Sequence, residues 1–423
     1  MADEASRILF TKEMRKTYKL LCPNMADIHF HILQKVFCAS GYDVELLTNT
    51  DQTVIDEGLK YVHNDICYPA LLTIGQMIAA LKSGKYDLDH VALLMTQTGG
   101  GCRASNYIFL LRKALKKAGM GQIPVISVNL SGMEKNPGFK ITLGLLRRAL
   151  AALVYGDMLM LLSNQTRPYE VTAGETDALV DRWVDDVCEQ FGRKRGYTSR
   201  DIHDNLRGMV DSFERIEICH TEKVKVGVVG EIYAKYSALA NNNLEQFLRS
   251  QDCEVNVPSL MGFMLFKVDN RLEDIKLYGG NPFKKLFVQV LFGYLKVFET
   301  YTLDALREST RYHTPASYLE IKEMVKPLIG YGCKMGEGWF LTGEMIELIQ
   351  GGYGNIVCAQ PFGCLPNHIV GKGKIRQITE MYPQANIVPI DYDPGATKVN
   401  QENRIKLMLS VARERLSGAG QDA

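Results

Sequence analysis

Ten cysteines are spread through a chain of 423 residues, and five of them stand in surroundings that a buried structural thiol does not need. Cys67 lies in HNDICYPALL, just ahead of a helical pattern whose first turn carries Pro69. Cys102 lies in TQTGGGCRASNY, between a strand-like run and a helical one. Cys333 lies in YGCKMGEGW, and Cys358 and Cys364 lie in NIVCAQPFGCLPNHIVGKG. A core cysteine behaves as a small hydrophobe and has no use for glycine-rich loops. Here Gly99, Gly100, Gly101 and Gly363 free the backbone for tight turns and close amide approach. Loops that feed helix starts also offer unpaired N–H groups and a positive dipole end, which suit thiolates and sulfide.

The spacing bears on the metal. Structural zinc takes closely paired ligands, and the closest pair, Cys358 and Cys364, has five residues between them. Soft thiolates separated by long stretches, without a matching histidine pair, favour an iron–sulfur cluster, although the ferredoxin spacing is absent. His63, Arg103, His368, Lys372 and Lys374 flank these loops and could place positive charge or N–H donors near sulfide. Cys38 falls inside an amphipathic pattern, and Cys188, Cys219 and Cys253 have ordinary surroundings, so these four read as structural.

The elements that must position the thiols alternate between strand and helix. Tyr18–Leu21, Val44–Leu47, Val91–Met95 and Val125–Val128 read as strands, separated by helices over Asp27–Ala39, Ala70–Lys82 and Asn106–Ala118. Gly41, Gly84 and Gly119 fall where those helices should stop. This rhythm predicts α/β architecture with a doubly wound parallel sheet. A helical stretch from about Phe139 to Glu217 follows. A second series then uses strands Lys223–Val229, Glu254–Val257, Asn355–Ala359 and Asn386–Ile390, with helices at Asn243–Ser250, Trp339–Gln350 and Gln401–Leu416. We therefore expect an N-terminal lobe over 1–165, a helical connection over 166–222 and a C-terminal lobe over 223–423. Both lobes should bind the cluster, with the candidate cysteines at strand ends, where such sheets place ligands.

Composition narrows the class. The 49 basic and 48 acidic residues leave a formal net charge of +1, which gives no reason to expect nucleic acid or an anionic membrane as partner. The opening MADEASRILFTKEMRK has no apolar stretch of the signal-peptide kind, and Ile141–Leu162 is broken by Arg147, Arg148 and Asp157. The expected address is the cytoplasm, where thiols stay reduced. GKGK at Gly371–Lys374 lacks the upstream glycine of a phosphate-binding loop, so no nucleotide site is expected on this chain.

The segments HNDICYPALLTIGQ, QTGGGCRASNYIFLLRKAL, PYE at Pro168–Glu170, GEGWFLTGEM, and CAQPFGCLPNHIVGKG followed by IDYDPGATKVNQ resemble the double-cubane cluster proteins. Those proteins belong to the 2-hydroxyacyl-CoA dehydratase component superfamily. The same block resembles the C-terminal part of long ATP-dependent activase-like proteins. The resemblance runs from about Thr17 to Leu416. It implies two flavodoxin-like lobes with helical additions, usually in a homodimer. It implies a double-cubane [8Fe-9S] cluster held by cysteine thiolates, the carry-over being safest for Cys67, Cys102, Cys333, Cys358 and Cys364. Three thiolates per cubane call for one more, and Cys22 is the candidate. Electrons would come from a separate ATP-hydrolysing [4Fe-4S] reductase and would pass to a small-molecule substrate.

The residues and the resemblance together imply three alternative functions. The first is an oxidoreductase that reduces small molecules at a double cubane. The second is a dehydratase-like subunit with one [4Fe-4S] cluster acting on an acyl-CoA. The third is a non-catalytic electron-transfer protein.

Overall fold

In the computed structural model the described residues are 7–63, 65–97, 101–129 and 134–419; the opening residues, Gly99 and Gly100 lie outside them. The first lobe comprises α1 (Met14–Thr17), β1 (Lys19–Pro23), α2 (Asp27–Ala39), β2 (Asp43–Leu47), α3 (Gln52–Tyr61), α4 (Tyr68–Lys82), β3 (Val91–Thr96), α5 (Tyr107–Lys117) and β4 (Val125–Val128). Three long helices follow: α6 (Leu143–Thr166), α7 (Glu175–Gly192) and α8 (Ser199–Glu214). The second lobe starts with β5 (Val224–Gly230), α9 (Ile232–Tyr236), α10 (Ala238–Asn241), α11 (Leu244–Ser250) and β6 (Cys253–Asn256). It continues through α12 (Leu260–Tyr278), α13 (Pro282–Arg307), α14 (Tyr318–Met324), α15 (Gly338–Gln350), β7 (Asn355–Pro361), α16 (Leu365–Val370), α17 (Ile375–Met381), β8 (Asn386–Tyr392) and α18 (Lys398–Ala419).

Each lobe is built on a four-stranded, all-parallel sheet, ordered β2-β1-β3-β4 and β6-β5-β7-β8. The two orders are the same, so the chain reverses direction across the sheet between β1 and β3 in one lobe and between β5 and β7 in the other. The expected α/β class, two flavodoxin-like lobes with helical additions, is the observed one. The central strands are apolar almost without alternation. All but the last residue of β3 and all but the first of β7 are buried, because helices cover both faces.

Helix α4, which starts at the Cys67 loop, is buried along nearly its whole length. It crosses α3 at paired glycines: a methyl group on Gly75 would fall 2.0 Å from the Val54 carbonyl oxygen. Gly41, Gly84 and Gly119 follow α2, α4 and α5 with φ of 83°, 77° and 76°, as their positions foretold.

Helix α6 ties the lobes together. Its buried Asp157 carboxylate meets His29 Nε2 of α2 at 2.9 Å and accepts the Leu260 and Met261 amides at 2.8 and 2.9 Å. One charge thus satisfies two orphan donors at the positive end of α12 while holding α2. Gly156 makes room for this contact, since a methyl there would lie 2.3 Å from the His29 ring.

Among the strand limits that differ from the sequence reading, two move a candidate cysteine. Strand β7 runs on to Pro361 rather than stopping at Ala359, because β8 pairs with it through Pro361↔Tyr392. Cys358 is therefore mid-strand. Strand β1 extends to Pro23 through its pairing with Leu47, which puts Cys22 inside it rather than after it.

Candidate functional site

The two lobes present cysteines at equivalent places. In lobe one, Cys67 immediately precedes α4, the helix that leads into β3, and Cys102 follows β3. In lobe two, Cys333 precedes α15, the helix that leads into β7, and Cys364 follows β7. Strands β3 and β7 hold the same position in their sheets, next to the point where strand order reverses. Each lobe therefore contributes one thiol ahead of its third-strand helix and one beyond that strand.

The four loops touch in a chain of close contacts. A methyl on Gly363 would lie 3.0 Å from Cys67 Cα and 3.2 Å from the Ile66 oxygen, and the Tyr68 amide donates to the Phe362 carbonyl at 2.9 Å. Gly101, beside Cys102, meets Met335 of the Cys333 loop, and Gly336 of that loop meets Pro366, two residues past Cys364. The Cys333 carbonyl accepts the Trp339 amide at 2.7 Å, which folds its loop back on the start of α15. Cys67, Cys364 and the half-buried Cys102 lie at the interlobe seam, while Cys333 remains exposed.

Three of these thiols share one electrostatic environment. Burial pushes the Cys67 thiol up to about 11, and it also raises Cys102 and Cys364. Cys102 lies within electrostatic reach of both Cys67 and Cys364. Against burial, the first-turn amides of Ala70, Ala104 and Asn367 favour the thiolates of Cys67, Cys102 and Cys364 in turn. The Tyr107 hydroxyl sits 2.8 Å from Cys67 Sγ.

Two carboxyl groups, unrecognised in the sequence reading, belong to the same seam. Burial, and then the neighbouring Glu337, push the Glu231 acid up to about 8. Glu231 accepts the Ala234 amide at 2.9 Å. Glu337, at the start of α15, accepts the Ile232 amide at 3.1 Å through one oxygen, and the other has no hydrogen-bond partner among the described residues. Lys267 of α12 donates to the Gly336 carbonyl at 2.5 Å, and burial lowers its pKa against the pull of Glu337 and Cys102. Glu231 is the residue just beyond β5, the strand at the reversal point, and that position is the signal that could have found it.

The remaining candidates fall elsewhere. Cys358 is fully buried in the core, where its sulfur accepts the Gln360 side-chain amide at 3.1 Å. It has no equivalent cysteine in β3. Cys22 faces a cavity of about 540 Å³ that Cys102, Lys267 and Met335 also line, and its burial pushes the thiol up to about 12. Arg103 donates to the Asp65 carbonyl, which braces the Cys67 loop from the Cys102 side. His63 is exposed and pairs with Asp65, while the His368 amide bonds the Cys364 carbonyl at 3.2 Å. Lys372 pairs with Asp391 and lies within electrostatic reach of Cys358, and Lys374 donates to the Leu328 carbonyl.

The donor chemistry fits a thiolate-held cluster: soft ligands, on glycine-relieved loops at helix starts, in a seam largely shielded from water. No three His, Cys, Asp or Glu side chains among the described residues are close enough to hold a single metal ion. Among the described residues no helix is long and apolar enough to cross a membrane. Comparison with protein-family models and with curated proteins found no match.

Proposed function

We propose that the chain is a low-potential iron–sulfur oxidoreductase component whose cluster sits in the interlobe seam. The observation that carries this reading is the two-plus-two disposition of Cys67, Cys102, Cys333 and Cys364 on equivalent loops of the two lobes. A bound cluster would supply one-electron redox chemistry there. The chain's own residues then have separate tasks. Cys67, Cys102 and Cys364, with Cys333 from the adjoining loop, hold the iron. The Tyr107 hydroxyl orients the Cys67 sulfur. Glu231 keeps a proton at neutral pH beside the thiols, and Lys267 places a cation next to Cys102. In accord with the sequence resemblance, electrons come from a separate ATP-hydrolysing [4Fe-4S] reductase in the cytoplasm and pass to a small molecule.

A double-cubane [8Fe-9S] cluster needs more thiolates than these four. Cys22, which lines the same cavity as Cys102, is a further candidate. The position of Cys358 in the core favours a second reading, a dehydratase-like subunit with a single [4Fe-4S] cluster. Anaerobic purification with iron and acid-labile sulfide counting separates the two, at about eight versus about four iron atoms per chain. Cys102→Ala and Cys364→Ala should each lose the visible cluster absorbance with an unchanged far-ultraviolet dichroism spectrum. Full iron content in both variants would overturn the assignment. Reduction by the ATPase partner without turnover of any small molecule would leave electron transfer alone.

A further inference from the structure

The cavity of about 540 Å³ is bounded by the sheet of the first lobe, by α2 and α6, and by α12 of the second lobe. That is the size of a small-molecule site. Cys22, Leu46, Leu94 and Val128 line it, one from each strand of the sheet. Leu33 and Phe37 of α2 and Leu146 and Leu153 of α6 also line it, and all four are only half-buried. Helix α12 contributes Phe263, Lys267, Asn270, Arg271 and Asp274, whose steps of three and four put them on one helix face. Polarity changes along that face, from apolar at Phe263 to charged between Lys267 and Asp274, and Lys334 of the Cys333 loop joins the charged end. There Lys267 is engaged by the Gly336 carbonyl and by the Phe263 ring, 4.9 Å from its centre, and Lys334 pairs with Asp274. Arg271 is exposed and has neither an ion pair nor a hydrogen bond among the described residues. Burial, and then Arg271, lower the pKa of Lys334, and Arg271 also repels Lys267. Three cations thus share this end, and Asp274 is the one acid among the described residues that line it. Beside them Asn270 is only 7% exposed, and its Oδ1 has no hydrogen-bond partner among the described residues. A buried amide without its partner costs free energy that a polar ligand group recovers.

We propose that this cavity binds a free monocarboxylic acid with an unbranched apolar tail, its carboxylate held by Arg271 and Asn270 and its tail lying against α2, α6 and the sheet. A guanidinium meets a carboxylate through two parallel N–H···O bonds, which suits an arginine that has no partner in the chain. The Asn270 amide can turn about its last bond to donate a further N–H to the same group. Between Phe263 and Arg271 the helix rises about 12 Å, which matches a tail of roughly eight to ten carbon atoms. The charges select a free acid over an ester. The acyl end of a thioester is neutral and would leave Arg271 unpaired. A nucleotide ester would also bring several phosphate groups, and the other two cations that line the cavity are already engaged. An uncharged amphiphile would gain the apolar lining but nothing at Arg271. The site rests on the cavity and its charges alone, so it stands or falls independently of the iron–sulfur reading.

The test titrates the full-length protein, purified anaerobically, with decanoate below its micelle-forming concentration and follows the heat of binding. Hexanoate, octanoate, decanol and decanoyl-coenzyme A serve as comparisons. One decanoate should bind per chain, and affinity should rise about three- to fourfold for each methylene added between hexanoate and decanoate. Arg271→Gln should weaken decanoate by about tenfold or more while changing decanol by less than about twofold, at unchanged iron content. Asn270→Leu should weaken decanoate by about fivefold. Ala149→Trp, which fills the cavity from α6, should abolish binding of both decanoate and decanol. Should that variant fail to fold, Ala149→Leu gives the same reading at a milder change, by moving the best ligand from decanoate to octanoate or hexanoate. Decanol binding as tightly as decanoate, affinity that does not change with chain length, or full affinity in Arg271→Gln would each overturn the proposal. So would the absence of decanoate binding at millimolar concentration, or binding of decanoyl-coenzyme A where decanoate fails.

Discussion

Gly363 tests whether the Cys67 and Cys364 loops are held together as the site requires. Its φ is +74°, a left-handed conformation that costs a residue with a side chain about 1–2 kcal/mol. A methyl group there would also press on the backbone of the other lobe, at 3.0 Å from Cys67 Cα and 3.3 Å from Cys67 N. Backbone atoms at a helix start cannot swing away as a side-chain tip can, so the loops must separate by a few tenths of an ångström, at a further cost of about 1–3 kcal/mol. Gly84 is the control: its φ is +77°, and nothing lies within 4 Å of its would-be methyl. Gly84→Ala should therefore cost the conformational strain alone, about 1–2 kcal/mol in urea unfolding, with full iron content. Gly363→Ala should cost about 2–5 kcal/mol and should lower iron content although every thiol is present. Thiol titration of the iron-free Gly363→Ala protein should find Cys67 more reactive than in the parent. If Gly363→Ala keeps full iron and is no less stable than Gly84→Ala, the two loops are not in the contact described.

Cys358→Ala removes a buried sulfur from the core and should cost about 1–2 kcal/mol while leaving iron content unchanged; loss of iron would return Cys358 to the ligand set. Asp157→Ala strips two amides at the start of α12 and the buried His29 of their partner. It should lower the stability of the first unfolding transition by about 3–5 kcal/mol, measured by urea titration. Glu231, raised to about 8, holds a proton in the folded chain that the unfolded chain releases above the ordinary carboxyl range. The iron-free protein should therefore lose stability as pH rises from about 4.5 to about 8, and Glu231→Gln should flatten that fall. An identical pH profile for the variant would show that Glu231 is ionised throughout.

The alternation of apolar runs and amphipathic helices was enough to read two parallel sheets, because strands buried on both faces are apolar end to end and helices are not. Loop chemistry was legible for the same local reason. Cys67, Cys102, Cys333 and Cys364 stand beside glycines or prolines that only a turn or a helix start would need. Cys358 sits in the same stretch of sequence as Cys364, and the strand end between them could not be placed without β8, whose pairing extends β7 to Pro361. Glu231 and Glu337 are 106 positions apart, and neither has a local pattern to announce it. Their shared burial arises only when α15 is laid against the end of β5.

The amino-acid sequence by itself determined the class of fold, the order of its elements and the loops that carry thiols, since each of these depends on neighbours a few residues away. Tertiary structure alone decided which thiols share one electrostatic environment, which one lies in a core strand, and which acids and cation share their seam. Those facts depend on strand order and on the tether at Asp157, which bring together groups far apart in the chain through contacts that leave no periodic trace in it.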